Sequence, residues 1–326
     1  MNMSESFIAV KELVKNYDVS KGVFSSSHAV VHAVDNVSFS IEKGETLSLV
    51  GETGSGKTTT GKMIIRLIEP TSGEVLFNGV NILKLGKNDL RNFRRNAQII
   101  FQDPYASLNP RKTIGDIVGA PLEVHRKIKG KEKKSLVIDI LESVGLTPGI
   151  EMYNRNPHEF SGGQRQRIVI ARALALNPEF IVADEPVASL DVSIRAQILN
   201  LLQDLKKRYN LTYLLISHDL SVVRYMSDRV MVMYLGKTVE LAECEELFKS
   251  PMHPYTKALI SAIPLVHSTS NIDKIKLIGE MPSPMNPPKG CRFNTRCPFV
   301  KPVCSENEPE FKDVGNKHFI ACHLYK

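Results

Sequence analysis

Tryptophan is absent from the 326 residues, and aromatic residues together make up only 7% of them. An interleaved array of basic and aromatic side chains for gripping nucleic acid is missing, as is a basic arm. No uninterrupted apolar stretch reaches membrane-spanning length, and the opening MNMSESFIAVKELVKNY lacks the apolar core of a signal peptide. The expectation is a cytosolic chain that docks on a membrane protein rather than crossing the bilayer. Internal repeats and a long coiled coil are also missing. Cysteine is scarce until the end, where Cys291, Cys297, Cys304 and Cys322 follow the isolated Cys244. In a reducing compartment such crowding favours a metal or cluster over disulfides. What remains is ordinary: 42% hydrophobic and 24% charged residues suit one large globular domain with an appendage. Lys and Arg exceed Asp and Glu by 42 to 35, a net +7 suited to nucleotide phosphates or an anionic membrane surface.

The chemistry starts at Gly51, where GETGSGKT follows the apolar run TLSLV and precedes KTTTGKMIIRLI. Strand, glycine-rich loop and helix occur in the order that a phosphate-binding loop requires, with Met63, Ile64, Leu67 and Ile68 at helical spacing. Gly51, Gly54 and Gly56 let backbone N–H groups approach a phosphate without a Cβ in the way, and the helix adds its positive end. Lys57 supplies a point charge to the β- and γ-phosphates, and Thr58 a hydroxyl for Mg²⁺. Glu52, Thr53, Ser55 and Thr59 complete the nucleotide-binding stretch. Downstream, FIVADE ends an apolar strand with two acids: Asp184 is placed to reach Mg²⁺ through water, and Glu185 to orient or deprotonate an attacking water.

Strands alternating with helices imply a parallel, helix-covered sheet. FIVAD and YLLIS read as strands, and Ile194, Ile198, Leu201, Leu202 and Leu205 mark a helix between them. VMVMYLGKTVELA reads as a hairpin turning at Gly236, and the core is expected to finish near Ser250. In KKSLVIDILESVGL the helical face runs through Leu136, Ile140, Leu141 and Val144, with Gly145 at its end. KGKEKK around Gly130 reads as a solvated surface turn, and Cys244 as a lone surface or core thiol. Pro282, Pro284, Pro287 and Pro288 make an extended linker into the cysteine tail.

FSGGQRQRIVIARAL then makes a resemblance specific. SGGQ opening a helix, with Ser161 as its N-cap, resembles the signature of ATP-binding-cassette (ABC) ATPases. The resemblance implies that Ser161, Gly162 and Gly163, with Gln164, act on the γ-phosphate of ATP held by another subunit. It also implies that Gln102 links Mg²⁺ and water to a helical lobe, that Asp191 belongs to the D-loop, and that His218 contacts the γ-phosphate and holds Glu185. Tyr17 resembles the adenine-stacking aromatic, with Phe24 nearby as an alternative. Catalytic roles therefore fall on Glu185, His218 and Gln102, and Mg²⁺ on Thr58, Gln102 and Asp184.

The resemblance narrows further on KNYDVSKGVF, IIFQDPYASLNPR, HPYTKALISAIP and NPPKGCRFNTRCP, which are similar to ATPases of bacterial oligopeptide and dipeptide permeases. The insertion between Tyr17 and Val34 is nearer the second ATPase of such pairs. The implied fold is α/β: a P-loop NTPase core with parallel sheet and antiparallel β subdomain over residues 1–105 and 162–250, an inserted helical subdomain over 106–161, and a small cysteine-containing extension over 251–326. The implied partners are two integral membrane permease subunits, a homologous ATPase (a heterodimer, or else a homodimer) and an extracytoplasmic solute-binding protein, with the chain peripheral on the cytoplasmic face of the cell membrane. No nucleic acid is expected. An importer of nickel or another small solute, an exporter ATPase, and an ATP clamp acting on nucleic acid are the other readings. The cysteines, spaced C-x₅-C-x₆-C-x₁₇-C, lack close zinc-ribbon pairs. Four thiolates can hold a [4Fe–4S] cluster, with Lys289, Arg292 and Arg296 offsetting its charge; zinc, with His318 or His323, and plain thiols are the alternatives.

Overall fold

The structure is a computed structural model and describes residues 6–20, 28–262, 277 and 279–325. Phe24, residues 21–27 of the insertion and the end of HPYTKALISAIP lie outside the described residues. In chain order the strands are β1 (Ile8–Ser20), β2 (His28–Ile41), β3 (Thr46–Val50), β4 (Ser72–Phe77), β5 (Val80–Asn81), β6 (Ala97–Ile100), β7 (Phe180–Asp184), β8 (Thr212–Ile216), β9 (Arg229–Tyr234), β10 (Lys237–Glu243), β11 (Phe311–Asp313) and β12 (Phe319–Ala321). The helices are α1 (Lys57–Ile64), α2 (Lys87–Asn96), α3 (Pro104–Ser107), α4 (Ile114–Pro121), α5 (Gly130–Ser143), α6 (Gly149–Tyr153), α7 (Gly162–Leu174), α8 (Val192–Tyr209), α9 (Leu220–Met226), α10 (Cys244–Lys249), α11 (Pro254–Ser261) and α12 (Pro302–Glu306). Two compact units result, one from residues 1–83 with 216–326, the other from 84–215.

In the first unit β2, β1, β4 and β5 form an antiparallel sheet. Beside it, β3 runs parallel to β9, and β9, β10, β12 and β11 continue antiparallel in that order. All five residues of β3 are buried, the polar Thr46 and Ser48 as completely as Leu47, Leu49 and Val50, because both faces of the strand are covered. The β9–β10 hairpin turns through Leu235 and Gly236, both at positive φ (46° and 81°), as a two-residue turn matched to strand twist demands.

Helix α1 is shorter than its apolar spacing predicts. Arg66 takes a left-handed φ of 51° and gives its guanidinium to the Ile82 carbonyl and Glu69, so the chain leaves the helical path and Leu67 is 46% exposed.

The sheet does not finish at Ser250. Glu240 and Leu241 of β10 pair with Ile320 and Phe319 of β12, so the tail supplies two strands. Its anchor is the fully buried Glu240 carboxylate, which accepts from Met252 N at 2.7 Å and His253 N at 2.9 Å and lies 2.7 Å from His318 Nε2. Arg292 adds bonds to Asp35 and the Leu235 carbonyl, and Lys237 bridges Asp35 and Glu308. Tyr234, Tyr255 and Phe293, all fully buried, meet at ring separations of 4.8, 5.2 and 5.4 Å, filling the space between hairpin, α11 and tail.

In the second unit β6 and β7 pair in parallel with β8 on the other side of β7. Helix α5 buries Val137 and Leu141 with Val144 at its cap, so the core face is turned slightly from the predicted one: Leu136 and Ile140 are its half-buried flanks. Gly145 ends the helix at φ 76°. KGKEKK is a helix start, not a turn. Within it Lys133, with a side chain 12% exposed, bonds Glu123 at 2.7 Å and lies 3.7 Å from Asp116.

Candidate active site

The phosphate loop occupies the turn from β3 into α1, and its shape leaves no room for side chains at two glycines. A Cβ on Gly51 (φ 147°) would meet the Met233 carbonyl oxygen at 2.2 Å, and one on Gly56 (φ 101°) the Ala33 oxygen at 2.5 Å. Gly54 (φ 86°) is exposed, facing only Met281 Cε at 3.3 Å. Lys57 is 6% exposed and donates to Gly51 O (2.7 Å) and Glu52 O (2.9 Å), with Ser55 Oγ at 3.3 Å. An ammonium held against the loop's own carbonyls is a cation fixed where an anion would be received. Thr53 is exposed, and Thr58 and Thr59 are half-buried in the first turn of α1.

Elsewhere in the same unit, Tyr17 lies on β1, 37% exposed, with Lys15 Nζ 4.8 Å from its ring centroid. His218 is exposed between β8 and α9; Asp219 beside it caps α9 by accepting from Ser221 N and Val222 N.

In the second unit, Asp184 ends β7, 4% exposed, and Glu185 follows with φ 47°. Gln102 leaves the adjacent parallel β6, and its Nε2 donates to Glu185 Oε2 at 2.8 Å. Ser161 caps α7 through a reciprocal box: Gln164 N donates to its Oγ at 3.3 Å, and Ser161 N to Gln164 Oε1 at 3.0 Å. A Cβ on Gly162 would meet nothing nearer than 3.7 Å, whereas one on Gly163 would meet Ile194 Cγ2 at 2.5 Å. Asp191 is exposed at the N-cap of α8, with no side-chain capping bond.

Cys291, Cys297, Cys304 and Cys322 are free; burial first, and neighbouring cysteines second, raise the thiols of Cys291, Cys297 and Cys322, that of Cys291 to about 11. Among the described residues no group of three or more His, Cys, Asp or Glu is arranged to hold a metal ion. The expected metal is not supported, and the zinc alternative loses its histidines' Nε2 atoms, since that of His318 faces Glu240 and that of His323 the Asn307 carbonyl. Two of the cations expected to offset cluster charge are paired with carboxylates instead, Arg292 with Asp35 and Arg296 with Glu52. Cys244 is buried at the start of α10, its thiol pushed up to about 11 by burial.

Among the described residues no helix is long and apolar enough to cross a membrane. Residues 34–188 match the ABC transporter family, and residues 239–304 the oligopeptide/dipeptide transporter C-terminal region. The chain is 53% identical over 324 residues to the oligopeptide transport ATP-binding protein AppF of Bacillus subtilis, covering 98% of each. It is 50% identical over 310 residues to the dipeptide transport ATP-binding protein DppF of Haemophilus influenzae, covering 95% of this chain and 94% of that one. Among solved structures it resembles the dimeric ATP-binding cassette MJ0796 bound to ADP and Pi, with TM-score 0.64 and 30% identity over 73% of this chain and 98% of that one. CbiO1 of Clostridium perfringens, part of the transporter complex cbiONQ, matches with TM-score 0.64 and 27% identity over 76% and 92%. The chain belongs to the ABC transporter family, as an ATP-binding protein of the oligopeptide/dipeptide type.

Proposed function

We propose that the chain is the ATP-hydrolysing subunit of an importer that carries peptides across the cytoplasmic membrane. The observation that carries the ATP reading is the phosphate loop, in which Gly51 and Gly56 admit no Cβ and Lys57 is held against the loop carbonyls. The peptide cargo rests on likeness to AppF and DppF, which are named for oligopeptide and dipeptide transport.

In this reading the loop amides and Lys57 hold the β- and γ-phosphates, and Tyr17 stacks on adenine. The donors for Mg²⁺ are hard oxygens, as that ion demands: the Thr58 hydroxyl, the Gln102 side chain and, through water, Asp184. When bound, Mg²⁺ offsets charge on the phosphate oxygens. Glu185, held by Gln102, orients or deprotonates the attacking water, with His218 steadying it. Ser161, Gly162, Gly163, Gln164 and Asp191 serve a nucleotide on a second cassette. The space around Gly162 is compatible with this, since a Cβ there would meet nothing nearer than 3.7 Å and the helix start is open to an approaching group.

The partners are two permease subunits, a homologous ATPase forming a heterodimer, and an extracytoplasmic solute-binding protein, with this chain on the cytoplasmic face of the membrane. A groove of about 340 Å³ in the second unit, with Ile117, Val124 and Leu176 among polar Gln98, Asn109 and Arg172, suits a short amphipathic segment of a permease. For the tail, a [4Fe–4S] cluster is the finer reading. Its support is the four neighbouring thiols and the buried, partnerless Nε of Arg296 one residue from Cys297, a donor that a sulfur acceptor would satisfy. It requires stoichiometric iron in protein purified without oxygen; iron-free protein ends it.

The complex reconstituted in vesicles should hydrolyse ATP faster when its binding protein is loaded with peptide. ATP turnover indifferent to peptides but stimulated by another solute would overturn the cargo assignment.

A further inference from the structure

The C-terminal region grips the phosphate loop twice at Glu52. Glu52 N donates to the phenol oxygen of Tyr255 at 2.8 Å, and both carboxylate oxygens lie 3.1 Å from Arg296 Nη1. The carbonyl of the same residue accepts from Lys57 Nζ at 2.9 Å. With its N–H, side chain and C=O all engaged, Glu52 has little freedom to turn its peptide planes, and the Lys57 ammonium is aimed by a residue that the tail holds.

The grip is itself rigid. Tyr255 is fully buried, its backbone N–H donates to His253 Nδ1 at 3.1 Å, and its ring packs edgewise on Tyr234. Arg296, with a side chain 7% exposed, also reaches Tyr234 Oη at 3.4 Å, and Tyr234 ends the strand beside β3. Met281 lies across the open side of Gly54. A charged pair largely shielded from water, with one partner carried on a packed aromatic cluster, keeps its geometry better than a surface ion pair.

We propose that Tyr255 and Arg296 are positioning residues for ATP binding, so that the cysteine-bearing C-terminal region sets the affinity of the phosphate loop. This rests on the phosphate-loop reading of residues 51–58 and adds a role for the C-terminal region. The pre-set loop needs less reorganisation to receive phosphates; a loop released from the tail must be ordered by the ligand, which weakens binding and leaves the chemical step alone.

Full-length Tyr255→Phe, Arg296→Gln, Arg296→Lys and Glu52→Gln chains, with Lys57→Ala as reference, are compared for fluorescent-ATP affinity, for ATPase KM and kcat, and for melting temperature. Tyr255→Phe keeps the ring and removes only the acceptor. The expected result is a rise in KM and Kd of about 3- to 10-fold for Tyr255→Phe and Arg296→Gln, with kcat within about twofold and Arg296→Lys intermediate. Glu52→Gln combined with Arg296→Gln should be no weaker than the worse single change, since both remove one interaction. Unchanged KM and Kd in Tyr255→Phe, with Lys57→Ala abolishing binding, overturns the proposal even if Arg296→Gln fails to fold. Retained ATP binding in Lys57→Ala overturns the phosphate-loop reading instead.

Discussion

Gln102 Nε2 donates to Glu185 Oε2 across 2.8 Å, joining the segment after β6 to the residue that follows β7. The parallel pairing of those strands sets their ends side by side, so the bond follows from register. Glu185 follows the buried Asp184 at a left-handed φ of 47°. A carboxylate in that position, steadied by an amide, has its orientation fixed before any water arrives.

Replacing Glu185 with Gln keeps an oxygen that can accept from Gln102 and removes the base. ATP binding should persist while turnover falls by about a hundredfold or more. Phosphate release at the parent rate would remove Glu185 from its role. Gln102→Ala, which frees the carboxylate without discharging it, should lower kcat by about tenfold with little change in ATP affinity.

Glycine should matter unequally along the loop. Gly56→Ala forces a Cβ to 2.5 Å from the Ala33 carbonyl, a backbone atom that cannot swing aside. The loss of stability should be on the order of 2–4 kcal/mol, with ATP binding lost as well. Gly54→Ala meets only the movable end of Met281 and should cost about 1–2 kcal/mol, mostly backbone strain. Urea unfolding with equal m-values would measure both; equal losses would contradict the geometry.

Ser161→Ala removes one half of the capping box on α7 and should lower stability by about 1 kcal/mol. Turnover should fall much further than that loss explains if the serine also meets nucleotide on a second cassette. A fall in turnover matched by the fall in folded fraction would leave Ser161 a helix cap alone.

Acid should loosen the first unit through His253. Burial pushes its pKa from 6.5 down to about 4, against the opposing pull of Glu240. Below pH 6.5 the unfolded chain takes up a proton that the folded chain refuses, so this contribution is complete above pH 6.5 and drains away as the pH falls toward 4. Over that window it amounts to about 3 kcal/mol. His253→Asn should flatten the stability profile between those limits; an unchanged slope would show that another group titrates there.

The elements legible in the sequence are those whose stability is local or whose burial is complete. TLSLV, FIVAD and YLLIS read as strands because strands covered on both faces are short and mostly apolar. The hairpin at Gly236 and the cap at Ser161 have short-range chemical signatures. Strands β11 and β12, three residues each, gave no such signal, because they are strands only by pairing with β10 and each other. KGKEKK differs only in its backbone: Lys129, Gly130, Lys131 and Glu132 are exposed, as a solvated run should be, but the segment opens α5 rather than turning.

The sequence alone determined that this protein holds a nucleotide, since the loop's glycines, lysine and threonine act within one turn of chain and need no distant partner to be recognised. Only the tertiary structure decided what steadies that loop. Glu52 and Arg296 are 244 residues apart, and no local pattern in either segment encodes their meeting. A salt bridge at that separation exists only once β10 has recruited the tail and the aromatic cluster has set the arginine in place.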